Sequence, residues 1–134
     1  MTITVTVTRD LSHPMAHQVR IRSHEVTVDG SLAEGGEDLG PDPHDLYDAA
    51  VSACKALTLV WYAKRKNIAL TDVRVETERD NSEERHGTYR LHATLHLSGE
   101  LTEAQREELL GVAEKCPVHK LMTKVTTEIT TSLA

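Results

Sequence analysis

The run from Pro43 to Lys66 constrains this chain more than any other stretch. Asp42-Pro43-His44-Asp45 reads as a helix start: Asp42 can cap, Pro43 suits the first helical position, and Asp45 adds negative charge to the first turn. At about 100° per residue, Asp45, Asp48, Ser52, Lys55 and Lys66 gather in one narrow stripe. Leu46, Ala49, Ala50, Ala53, Cys54, Leu57, Val60 and Trp61 fill most of the remainder. A helix apolar over most of its circumference must be covered on several sides, so this run is expected to be the central element. Ala50, Cys54 and Thr58, at i, i+4 and i+8, form a row of small residues that another backbone can approach closely. The other elements of one chain are too few to cover such a helix, which points to a homodimer.

The elements around it follow from period-2 patterns. Ile3, Val5 and Val7 alternate with Thr2, Thr4, Thr6 and Thr8, as in a half-buried strand. Val19 and Ile21, then Val26 and Val28, change parity across Ser23-His24-Glu25, which means two strands and a tight turn, or one strand with a bulge. Asp29 to Asp42 is longer than an ordinary connection, and such loops are often functional or mobile. Val73, Val75 and Thr77, a turn at Asn81 to Gly87, and Tyr89, Leu91, Ala93, Leu95 and Leu97 make a hairpin. Thr102 with Gln105 is a capping-box pattern that opens a helix to about Lys115. Cys116-Pro117 interrupts it, because Pro117 lacks an amide donor, and a short helix from Val118 to Thr123 is expected next. Val125, Thr127, Ile129 and Thr131 predict a last strand. Three strands, a long helix, two strands, two helices and a strand make an α+β order in a single domain over residues 1–134.

Charge and composition exclude several functions. The 134 residues carry 15 Lys+Arg against 21 Asp+Glu, a formal charge of −6 with a pI near 5.7, which argues against nucleic acid or an anionic membrane as partner. The Lys64-Arg65-Lys66 run reads as a solvated helix end. No apolar stretch nears the roughly 20 residues of a membrane span, and the amino terminus lacks the basic start of an export signal, so a cytoplasmic location is expected. Gly35-Gly36 lacks the spacing of a phosphate loop, and no Gly-x-Ser-x-Gly elbow occurs.

Two cysteines remain as the centre of any chemistry. Cys54 lies in mid-helix on the apolar side, where it can be a small buried hydrophobe. As a thiolate it would sit far from the positive helix end and need an imported cation such as an arginine. Cys116, just before Pro117, is the natural cap of the short helix, where a packing role competes with a reactive one. A peroxide-reducing thiol that forms a sulfenic acid needs a resolving thiol nearby, and two lone cysteines fit that need. The rival set is zinc, with Cys116 and His119 at i, i+3 joined by Cys54 and His44, but no Cys-x-x-Cys or His-x-x-x-His spacing supports it.

Gly40-Pro-Asp-Pro-His-Asp-Leu-Tyr-Asp-Ala-Ala-Val-Ser-Ala-Cys54 and the downstream Glu114-Lys-Cys-Pro-Val-His119 resemble the two motifs of the OsmC/Ohr family, the osmotically inducible and organic hydroperoxide resistance proteins. The resemblance implies an intertwined homodimer with antiparallel sheets wrapped around the central helices, and Cys-based peroxide reduction without metal or organic cofactor. It implies Cys54 as the peroxidatic cysteine, Cys116 as the resolving one, a disulfide between them, and recycling by a dithiol such as a lipoylated protein. Two positions depart from the hydroperoxide branch. His44 stands where that branch has a glutamate, ten residues before the cysteine. The activating arginine is assigned to Arg9, whose parity continues Ile3, Val5 and Val7 and points it inward, whereas Arg20 and Arg22 oppose Val19 and Ile21 and should face water. A non-enzymatic protein holding a small apolar ligand in the same dimer cavity is the alternative reading.

Overall fold

Local capping sets the helices in the computed structural model, which describes residues 2–134. Asp42 and Asp45 close a reciprocal cap: the Asp45 N–H donates to Asp42 Oδ1 at 2.8 Å and the Asp42 N–H to Asp45 Oδ2 at 3.1 Å. The helix they start, α1, runs Pro43–Arg65, one residue short of expectation. Asn67 ends it in the left-handed conformation (φ 53°), where the Ile68 N–H returns to the Ala63 carbonyl at 2.9 Å.

The chain forms two compact units, Met1–Tyr47 and Asp48–Ala134. The first holds an antiparallel three-stranded sheet of β1 (Val5–Arg9), β2 (His17–Ile21) and β3 (His24–Val28), in that order. The parity change is therefore a tight turn between two strands, with Arg22 at φ 55° inside it. Strand β1 departs from the expected half-buried state. It is exposed along its whole length, Val5 at 54% and Val7 at 57%, and among the described residues of this unit none covers the face that these residues share with Arg9.

The long connection after β3 is ordered around one buried side chain. The Asp29 carboxylate accepts the N–H groups of Gly30, Glu37 and Leu39 at 2.7, 3.1 and 3.2 Å. Burial alone would raise its pKa, but those three amides hold it below the ordinary aspartate value. A 3-10 turn, Leu32–Glu34, lies inside the loop with Ser31 as its reciprocal cap.

In the second unit β4 (Leu70–Asp80) and β5 (Arg90–Gly99) form an antiparallel hairpin with Val73 opposite Leu97, Val75 opposite Leu95 and Thr77 opposite Ala93. β5 ends at Gly99 with φ 132°, where a Cβ would lie 2.0 Å from the Ala69 carbonyl oxygen, so only glycine fits. The predicted capping box is present: the Gln105 N–H donates to Thr102 Oγ1 at 3.1 Å, and the Thr102 N–H donates to Gln105 Oε1 at 3.0 Å. It opens α2, Glu103–Ala113, and α3 follows as Pro117–Thr123 with Cys116 as N-cap and Pro117 in the first turn. Leu59, Ala63, Ile68, Leu109 and Ala113 make the core, with Val73, Leu95, Leu97 and Val112 packed against it.

One expectation is corrected here. The last strand, Val125 to Thr131, does not form: residues 125–134 carry no helix or strand, and their alternating side chains are exposed. A strand needs a neighbouring edge, and among the described residues none accepts this one. The stripe of Asp48, Ser52 and Lys55 on α1 has its neighbours within the second unit. It packs against the chain's own hairpin and against α2 and α3, while Leu57 and Trp61 on the apolar side are 71% and 59% exposed. A helical wheel shows which residues share a face and not which face has a neighbour.

Candidate active site

Three side chains of that stripe and the two cysteines define the polar interior of the second unit. Asp48 holds the hairpin to α1: Arg79 Nε donates to its Oδ2 and the Tyr89 hydroxyl to its Oδ1, each at 2.6 Å. Ser52 donates to the Asp48 carbonyl at 2.7 Å and meets Thr77 Oγ1 at 2.6 Å. Burial first, then the bond to Asp48, pushes the Tyr89 phenol up to about 12. Its unfolded-state pKa is near 10, so its stabilising contribution is complete below pH 10 and drains away as pH rises toward 12. In urea titrations between pH 9 and 12, the Tyr89→Phe protein is expected to lose less stability over the upper part of that range than wild type. Parallel slopes would contradict the assignment.

One turn further along α1, the row of small residues receives another backbone, as its spacing predicts. The Val118 N–H, at the start of α3, donates to Cys54 Sγ at 3.4 Å, and Thr58 Oγ1 lies 3.9 Å from the same sulfur. Cys54 is half-buried and Cys116 fully buried, both as free thiols. Cys116 occupies the cap position that the sequence places it in, yet its side chain makes no cap hydrogen bond. Of the amide donors at this helix start, the Val118 N–H serves Cys54. Burial is the main cause that pushes the Cys116 thiol above its ordinary pKa. The His119 backbone N–H and the Lys55 charge act against that rise, and the Cys54 side chain adds to it. The two cysteines are thus neighbours, one offered a donor and the other kept protonated.

Lys55 and His119 complete the cluster. Lys55 is 7% exposed and its ammonium donates to the Ala113 carbonyl at 2.8 Å and lies 2.9 Å from His119 Nδ1. An ammonium has only donors, so the imidazole accepts at Nδ1 and carries its proton on Nε2. Burial and then the Lys55 charge lower the His119 pKa. Lys55 occupies His119 Nδ1, and among the described residues no group of three or more His, Cys, Asp or Glu is placed to hold a metal ion. Sequence reasoning missed Lys55. The signal was its place in the same stripe as Asp48 and Ser52, three polar residues in register along a helix expected to be central.

Arg9 lies at the end of β1 in the first unit, exposed, with its guanidinium donating to the Pro14 carbonyl at 3.2 Å. Arg20 and Arg22 are exposed, as their parity predicts, and Arg20 Nε donates to the Arg22 carbonyl at 3.3 Å. Among the described residues no helix is long and apolar enough to cross a membrane.

Comparison with known proteins matches the family model described as "OsmC-like protein" over residues 34–132. No curated protein matches. Among solved structures, a putative osmotic stress induced and detoxification response protein of Psychrobacter arcticus is 19% identical. The match spans 92% of this chain and 90% of that one, with a TM-score of 0.76. An organic hydroperoxide resistance protein OsmC of Legionella pneumophila is 21% identical over 92% and 90%, with a TM-score of 0.68. The organic hydroperoxide resistance protein OhrB of Bacillus subtilis is 23% identical over 92% of both chains, with a TM-score of 0.60. At these identities the likeness is one of fold: α+β, with antiparallel sheets and helices.

Proposed function

The chain belongs to the OsmC-like protein family, and from that premise we propose that it is a thiol-dependent peroxidase reducing organic hydroperoxides or hydrogen peroxide. The observation that carries the reading is the meeting of the chain's two cysteines where the Val118 N–H is aimed at Cys54 Sγ. A hydrogen-bond donor at sulfur favours the thiolate, the form that attacks peroxide. Two structural neighbours carry names that refer to organic hydroperoxide resistance.

In this reaction the Cys54 thiolate attacks the distal peroxide oxygen. An S–O bond forms, the O–O bond breaks, and the leaving oxygen takes a proton to depart as alcohol or water. Cys116 then attacks the sulfenic sulfur of Cys54, the S–S bond forms, and the hydroxyl leaves as water. An external dithiol, a lipoylated protein among the candidates, returns two electrons and two protons. Arg9 is the cation that stabilises the thiolate and polarises the peroxide. The working form is a homodimer, which the exposed apolar side chains of α1 and β1 support. A reducing compartment such as the cytoplasm suits this cycle.

The test is one equivalent of tert-butyl hydroperoxide added to reduced protein, followed by thiol counting, intact mass and sedimentation. Both thiols should disappear with the loss of two hydrogens per chain, in a particle of two chains. Thiols that survive the peroxide overturn the peroxidase and favour the alternative, a ligand-binding protein of the same fold. A particle with the mass of one chain overturns the dimer.

A further inference from the structure

Among the described residues Lys55 is the buried cation of the second unit, and its two partners bracket a cysteine. Ala113 lies three residues before Cys116 and His119 three residues after it, and one ammonium bonds to both. Lys55 also follows Cys54 directly in the chain. We propose that Lys55 is a positioning residue for the thiol pair, its ammonium clamping the segment 113–119 onto α1 so that Cys54 and Cys116 are held at disulfide-forming distance. This deepens the reading above and rests on its Cys54–Cys116 chemistry.

Three observations meet in the clamp. Burying an ammonium is costly unless its donors are matched, and here one goes to a carbonyl and one to an imidazole nitrogen. The Ala113 carbonyl belongs to the last residue of α2, an end that favours a cation, and it also accepts the Cys116 N–H at 3.5 Å, so the ammonium meets the same carbonyl that the cysteine's own backbone bonds to. The Val118 N–H to Cys54 bond adds a third link between the same two segments, and this one ends on the sulfur itself. Removing the cation frees the 113–119 segment to move relative to α1, and disulfide closure is sensitive to that spacing because its geometry is narrow.

Closure is best read without peroxide, by equilibrating protein with mixtures of oxidised and reduced dithiothreitol. The protein dithiol passes two electrons and two protons to the oxidised reagent, and the disulfide fraction is counted by mass. Lys55→Met keeps the chain length and removes the charge. It should stay folded by circular dichroism, while its closure constant falls about tenfold, as expected for one charge-assisted hydrogen bond. His119→Leu should lose closure in the same direction. His119→Asn, whose Oδ1 can stand where Nδ1 accepts, should retain it, a distinction that simple loss of packing would not produce. A folded Lys55→Met protein that closes like wild type overturns the proposal; should that variant not fold, equal closure by the Leu and Asn variants overturns it. Wild-type protein that closes in dithiothreitol but ignores peroxide overturns the peroxidase reading and leaves the clamp standing.

Discussion

Cys54→Ser protein is expected to consume organic hydroperoxide at least about a thousandfold more slowly than wild type, since removing a nucleophile removes the reaction path itself. Cys116→Ser should behave differently. It keeps the first step and stops there, so a sulfenic-acid probe should label Cys54 after a single equivalent of peroxide. The environments argue for this division: the Val118 N–H faces the Cys54 sulfur, whereas burial holds the Cys116 thiol protonated until a sulfenic acid is present to attack. Because the Cys116 thiol is pushed up, the closure step should quicken with rising pH beyond the ordinary thiol range, where more of it becomes thiolate. In the same series Arg9→Met should slow the first step by about a hundredfold, the scale of one charge contact at a reacting centre. Probe labelling of Cys116 and not Cys54 would reverse the roles, and an Arg9→Met protein as fast as wild type would remove Arg9 from them.

The largest expected loss of stability comes from the core beneath this site. Leu59 and Leu109 are fully buried, one on α1 and one on α2, in the cluster that holds both helices to the hairpin. Leu59→Ala should cost about 3 kcal/mol, from lost transfer energy and from a cavity whose walls belong to two helices and a sheet and cannot all collapse inward. Urea denaturation followed by Trp61 fluorescence measures it. A cost under about 1 kcal/mol would mean that α1 is not the anchor of this unit.

What sequence reasoning could and could not read follows the range of the interactions concerned. The Asp42 cap, the Thr102–Gln105 capping box, the end of α2 before Pro117 and the hairpin of the two alternating runs are decided by residues close in the chain or by a strict alternation, and each is present. The row Ala50, Cys54, Thr58 was legible as a place of close approach, since small side chains permit only that. Long-range choices were not legible. Lys55 has the polarity of a solvated residue, and its burial depends on a carbonyl and an imidazole about sixty residues away. Val125 to Thr131 alternates like a strand, but alternation describes the side chains, and pairing depends on an edge elsewhere in the fold. The exposure of Val5, Val7 and Trp61 has the same origin, because apolar pattern states a demand for cover and does not say what meets it.

The Asp29 loop carries a consequence for how the first unit comes apart. Three backbone donors spread over ten residues converge on a single carboxylate. Neutralising that carboxylate strands Gly30, Glu37 and Leu39 together, while the Ser31 cap and the Asp38 N–H to the Gly30 carbonyl still hold the turn inside the loop. The stretch from Asp29 to Leu39 is therefore a small cooperative unit with its own opening equilibrium. The fourteen-residue connection that looks, from its glycines, like the loosest part of the chain is drawn together from both of its arms by one carboxylate.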